Sequence, residues 1–217
     1  MVAISRTVLR EQVKDVLLQR IVSGELEPGE RLVETRIAQE LGTSQAPVRE
    51  ALRDLALLRL VESEPFRGAR VRAFDEKEMI EVYPVRASLE ELAARLAAEN
   101  LGGDVSALEV EFEAMRDAVR RDDTNALVRH DIDFHRLIVE AAGNSVLEQC
   151  WKSLGVERRI TISLYGTYME PKEAAERHVR LLDAIRSQNP TAAAREGRKH
   201  VEVSAKLFRA HMRSAAR

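Results

Sequence analysis

Apolar residues recur at helical spacing through Val8, Leu9, Val13, Val16, Leu17, Ile21 and Val22, which predicts a first helix stopped at Gly24. Glu27-Pro28-Gly29-Glu30 then predicts a turn. A second helix over about 33–41 places Ile37, Ala38 and Leu41 inward and ends at Gly42. A third follows almost at once. Ser44 is placed to cap it with its hydroxyl, Pro47 falls in its first turn, and it runs through Val48, Ala51, Leu52 and Leu55 to about Leu58. The pattern then changes from helical to alternating. Residues 60–64 and 69–73 predict two strands joined by a turn at Pro65-Phe66-Arg67-Gly68. Two helices across a short glycine turn, followed by a hairpin, predict a winged helix-turn-helix over residues 5–74.

After a short polar linker at 75–78 the strand signals stop. Helices are predicted at about 76–100, 104–121, 124–142, 145–168, 171–187 and 191–213, separated by Gly102-Gly103, Asp122-Asp123, Gly143-Asn144, Pro171 and Asn189-Pro190. Pro84, inside the first of them, predicts a kink or a restart. The fold class is therefore mainly α: an N-terminal winged helix-turn-helix followed by an all-α bundle over 79–213.

Composition narrows the function. Aromatics make up 4% of the 217 residues, so the core is aliphatic, and 45% apolar with 32% charged residues excludes a disordered chain. The net charge of -2 does not announce a nucleic-acid binder. Between Arg31 and Arg72, however, eight arginines face six acids and there is no lysine. Arginine suits bidentate contact with phosphate or guanine. The single cysteine, Cys150, is read as a small buried hydrophobe beside Trp151. No signal peptide and no apolar run of membrane-spanning length is visible, so the expected location is cytoplasmic.

Two constellations carry chemistry. In the first, the start of the third helix would present Ser44, Gln45, Ala46 and Arg49 to base edges and phosphates. Gln45 can pair with adenine, the Ala46 methyl can meet a thymine methyl, and Gly68 lets the wing approach closely. Arg31, Arg36 and Arg67 complete the candidate contacts with double-stranded operator DNA. In the second, Asp131 and His135 share a helix face, and His178 and His200 lie on the last two predicted helices. One Asp and three His facing into a bundle suit a divalent transition metal such as zinc, nickel or manganese. Spacing alone does not join them, and separate hydrogen-bonded histidines remain the alternative. His130 and His211 are read as surface residues. Arg86 lies four residues before Glu90, which suits a helix-surface or structural ion pair.

Residues 8–74 resemble the DNA-binding domain of the GntR family. The matching words are Gly29-Glu30-Arg31-Leu32, Ile37-Ala38-Gln39-Glu40-Leu41-Gly42, Pro47-Val48-Arg49-Glu50-Ala51-Leu52 and Arg67-Gly68. Family members usually carry Arg then Thr where this chain has Gln45 and Ala46, which implies an operator that departs from the common half-site. Residues 79–205 resemble the FCD ligand-binding domain of the FadR subfamily. The matches are Val85-Arg86-Ala87-Ser88-Leu89-Glu90, Asp131-Ile132-Asp133-Phe134-His135, Ala141-Ala142-Gly143-Asn144, His178 with Leu181-Leu182-Asp183-Ala184-Ile185, and His200. That resemblance implies a metal held by Asp131, His135, His178 and His200, a small carboxylate effector completing its coordination, and Arg86 facing the pocket. Six helices imply the shorter, VanR-like form. The expected protein is a homodimeric regulator, most relatives of this kind being repressors released by ligand. The rival expectation is a metal-dependent enzyme acting on a small organic acid.

Overall fold

The computed structural model describes residues 6–64, 68–72, 76–166 and 169–215. Two compact units divide the chain, residues 1–75 and 76–217.

In the first unit, α1 (Arg6–Val22) precedes β1 (Arg31–Leu32), α2 (Glu34–Glu40), α3 (Gln45–Leu57), β2 (Val61–Glu64) and β3 (Gly68–Val71). The sheet is antiparallel with β3 in the middle, in the order β1-β3-β2. β1 is too short to show as an alternation in the sequence. It forms because the turn before it is tied to β3: Gly29 N–H donates to the Val71 carbonyl (2.8 Å) and Val71 N–H to that of Glu30 (2.9 Å). Leu17, Val48, Ala51 and Leu55 are fully buried and join α1 to α3. Ser44 stands at the N-cap of α3 in extended backbone, but its hydroxyl makes no capping hydrogen bond. The expected cap is thus positional only: Ser44 is exposed, so water satisfies its hydroxyl. Gly68 is not part of the turn but begins β3, opposite Glu64, at a φ of 83° that favours glycine.

The second unit is helical throughout its described residues, with α4 (Glu76–Asn100), α5 (Ser106–Arg120), α6 (Thr124–Ala141), α7 (Ser145–Ser153), α8 (Val156–Tyr165), α9 (Pro171–Glu176), α10 (Val179–Arg186) and α11 (Pro190–Ala215). The six predicted helices become eight. The span 145–168 breaks at Gly155, which takes a left-handed φ of 61°, and 171–187 breaks at a turn containing Arg177 and His178. Pro84 does not restart α4, which runs uninterrupted past it. The predicted breaks elsewhere are real caps: Asp123 accepts from Ala126 N–H (2.9 Å), and Asn144 from Val146 (3.1 Å) and Leu147 (3.0 Å). Cys150 is exposed, contrary to its reading as a core residue. The inward stripe of α7 is Leu147 and Trp151, one turn apart, and Cys150 lies off that stripe.

The contact between α4 and α11 positions the site. Ala93, Ala94, Ala97 and Ala193 are fully buried there, and small residues let the two backbones approach. At Gly197 an added Cβ would lie 2.8 Å from the Glu90 carbonyl oxygen and 3.0 Å from the Ala94 Cβ. Gly197→Ala should therefore force α11 off α4, at about 1–3 kcal/mol, read as a lower urea midpoint with unchanged slope. A midpoint equal to that of the parent protein would show that the helices have room to spare.

Candidate metal centre and DNA-reading face

Asp131 and His135 lie one turn apart on the buried face of α6, flanked by the buried Phe134 and Ile138. His200 lies on α11, three residues beyond the tight approach at Gly197. His178 sits in the turn between α9 and α10 rather than inside a helix. The four side chains are all buried, at 6%, 2%, 0% and 8% exposure for Asp131, His135, His178 and His200, and they converge. His135 Nε2 is 3.2 Å from His200 Nε2 and 3.7 Å from Asp131 Oδ1, and His178 Nε2 is 3.4 Å from Asp131 Oδ2. Each histidine offers one ring nitrogen within 4.8 Å of the others.

The surroundings dictate which nitrogen is free. His178 Nδ1–H donates to the Ala175 carbonyl (3.1 Å), which leaves Nε2 as a bare lone pair, and that buried atom has no hydrogen-bond partner. His135 Nδ1 faces Glu90 Oε2 at 2.9 Å, which aims its Nε2 into the cluster. Burial lowers the pKa of His178 to about 4 against the pull of Asp131, and burial with Arg177 nearby lowers His200 well below its usual range. Both rings are thus neutral near pH 7, the form that ligates metal. A buried orphan nitrogen, neutral imidazoles and one carboxylate form a donor set that fits a first-row divalent ion.

Behind the cluster, Arg86 Nε donates to Glu90 Oε1 at 2.6 Å, and Trp151 Nε1–H donates to the same oxygen at 3.3 Å. Burial pushes the Glu90 carboxyl up, but Arg86 and His135 outweigh it and hold the group well below the carboxylate range. Arg86, expected to face an effector, is committed to this ion pair, although it also lines a small cavity with Asp131, His135 and His200. Arg177 lines the same cavity and was not legible in the sequence, because a charged residue within a predicted helix reads as part of its solvated face. His130 points off the cluster and pairs with Glu111 at 2.7 Å.

In the first unit, Arg31, Gln45, Arg49 and Gly68 line one groove of about 400 Å3 between β1, β3 and α3, joined by Glu34 and Arg53. Ser44, Gln45 and Ala46 are exposed at the start of α3. Arg49 is exposed but not idle: its Nε and Nη2 donate to the Glu34 carboxylate (2.8–3.2 Å), and that hydrogen bonding raises its pKa. Arg36 on α2 stands apart from the groove and bridges Glu30 (3.2 Å) and Glu40 (3.5 Å). Arg67 lies outside the described residues. No helix among the described residues is long and apolar enough to cross a membrane.

Comparison with known proteins matches both units. Residues 5–71 match the bacterial regulatory proteins of the gntR family, and residues 81–203 match the FCD domain. The chain is 37% identical over 198 residues to the "Probable D-xylose utilization operon transcriptional repressor" of Paenarthrobacter nicotinovorans, covering 91% of this chain and 88% of that protein. It is 34% identical over 173 residues to the "Gluconate operon transcriptional repressor" of Bacillus subtilis, covering 77% and 68% respectively. Among solved structures, McbR/YncC of Escherichia coli superposes with a TM-score of 0.62 at 25% identity, covering 93% of this chain and 97% of that one.

Proposed function

The chain belongs to the GntR family of bacterial regulatory proteins, as a transcriptional regulator with an FCD domain and not an enzyme, and from that premise we propose a homodimeric, metal-dependent repressor of the FadR subfamily. Residues 5–74 form its reading head and 79–213 its sensor and dimerisation domain. Two heads are needed because one winged helix covers little DNA and a two-fold operator presents two half-sites. The VanR-like form is part of this proposal, with α7–α8 and α9–α10 taken as two predicted spans that are each broken once.

The observation that carries the sensor reading is the bare, buried Nε2 of His178 facing Asp131, His135 and His200. Those four residues would hold zinc, nickel or manganese. When bound, the metal supplies a Lewis-acid seat for a small carboxylate effector. The chain's own part is to keep the His178 and His200 imidazoles neutral, fix the His178 tautomer through Ala175, set Glu90 against His135 Nδ1, and exclude bulk water. On the DNA side Gln45, Ala46 and Arg49 read the major groove, Ser44, Arg31 and Arg36 hold backbone phosphates, and Arg67 and Gly68 supply the wing. Effector binding would repack the sensor helices and respace the two heads. A coupling of about 1–3 kcal/mol suffices to change operator affinity many-fold.

A gel shift with the DNA upstream of the protein's own gene tests the whole reading. Specific binding that loosens with a small organic acid is expected, and no binding to any such fragment, with or without metal, would sink it. For the metal, His178→Ala and His200→Ala should each lower bound metal by tenfold or more in elemental analysis of the purified protein, as loss of one ligand from a four-ligand site demands. Unchanged metal content would remove that residue from the set.

A further inference from the structure

We infer that Arg177, not Arg86, is the residue that grips the effector's carboxylate; this deepens the sensor reading above and rests on it. Arg86 and Arg177 both line the cavity at the metal centre, but they differ in what already satisfies them. Arg86 is 3% exposed and locked onto Glu90 at 2.6 Å. To turn toward a ligand it would have to strand a buried carboxylate, which Trp151 and His135 also need in place.

Arg177 has no such partner. Among the described residues no carboxylate lies within ion-pair distance of its guanidinium. One of its N–H groups is taken by the His200 carbonyl oxygen, and another faces only the Met169 thioether, at 3.5 Å. A thioether is a weak acceptor, so a charged donor aimed at it is under-satisfied. Asp131 and Glu90 act on the Arg177 guanidinium only through space, without an ion-pair contact among the described residues. This half-buried guanidinium facing sulfur is, among the described residues lining the cavity, the cation with bonding capacity to give.

Its position fits the same role. Arg177 directly precedes His178, and its Nη2 holds the backbone of His200, so the guanidinium is anchored to two of the four metal-site residues. Ser163 and Ser204 line the same cavity. The cavity, about 20 Å3, has room for about one ordered water. A carboxylate enters by displacing the Met169 sulfur from Arg177, exchanging a weak acceptor for a charge-assisted one. The sensed molecule is then an acid whose carboxylate lies between the metal and Arg177.

Acetate is the probe, and the full-length protein loaded with Co2+ is the reporter, because the visible bands of that ion shift when its surroundings change. Wild-type protein should show a saturable acetate-dependent shift. Arg177→Met should retain its bound Co2+ by elemental analysis and bind acetate about tenfold to a hundredfold more weakly, as loss of a charged hydrogen-bond partner implies. Arg177→Lys should recover part of that loss by restoring charge without the fork. An Arg177→Met protein that holds Co2+ and answers acetate like the wild type would overturn the assignment while leaving the metal centre standing. So would a metal-loaded wild type indifferent to acetate. Wild-type protein that fails to hold Co2+ at all would overturn the sensor reading, and this assignment with it.

Discussion

Glu90→Leu lowers the stability of the protein by about 3–5 kcal/mol, measured as the loss of unfolding free energy in urea. The reason is what the carboxylate leaves behind. Arg86 is 3% exposed and, among the described residues, takes its ion pair from Glu90 alone, so leucine strands a guanidinium in the interior. The same substitution removes the acceptor of Trp151 Nε1–H and the group facing His135 Nδ1. The double variant Arg86→Met, Glu90→Leu should recover most of the loss, because removing both charges removes the desolvation penalty together with the attraction. If the single variant unfolded at the urea concentration of the parent, Arg86 would have to find another partner, and the buried pair would not be what closes the sensor core.

Acid is the second large effect. Metal-free protein should lose about 3 kcal/mol of stability between pH 6.5 and pH 4 through His178 alone. The group has a folded pKa lowered from 6.5 to about 4 by burial. Between those values the unfolded chain binds a proton that the native protein refuses, so stability is complete above about pH 6.5 and declines as pH falls toward 4. His200 is lowered in the same direction and adds to the slope. Glu90 enters only at the acid end of that window: its depressed carboxyl gives stability that is full well above the ordinary value of 4.5 and is lost progressively below it, so it does not contribute between pH 7 and pH 5. Urea unfolding of chelator-treated protein at pH 7 and pH 5 measures the difference, and His178→Gln should flatten it. A midpoint that does not move between the two pH values would mean that His178 is solvated. Bound metal should steepen the same decline, since protons and metal compete for the same nitrogens.

The reading head was largely legible in the sequence. Its pattern is local: Gly42, Ser44 and Pro47 punctuate consecutive helices, and the change from helical to alternating apolar spacing after Leu58 marks the hairpin. β1 was not legible, because two residues carry no period and their strand exists only through hydrogen bonds to β3. In the sensor unit the outer helix limits were legible wherever a capping residue stands, as at Asp123 and Asn144. The breaks at Gly155 and His178 were not, since the apolar stripe continues across both.

By itself the sequence determined two domains, their order, their helical and winged classes, and the face of α6 that carries Asp131 with His135, because each of these depends on neighbours only a few residues apart. Resemblance to a family then named His178 and His200 as companions, which no spacing could do. Only the tertiary structure decided that these histidines converge with bare buried nitrogens on His178 and His200, that Arg86 is committed to Glu90, and that Arg177, among the described residues lining the cavity, has no ion-pair partner. Each of those facts depends on groups brought together by packing from distant parts of the chain, such as the approach of Gly197 to Glu90, and the chemistry of a buried group is set by what lies against it rather than by what precedes it in the chain.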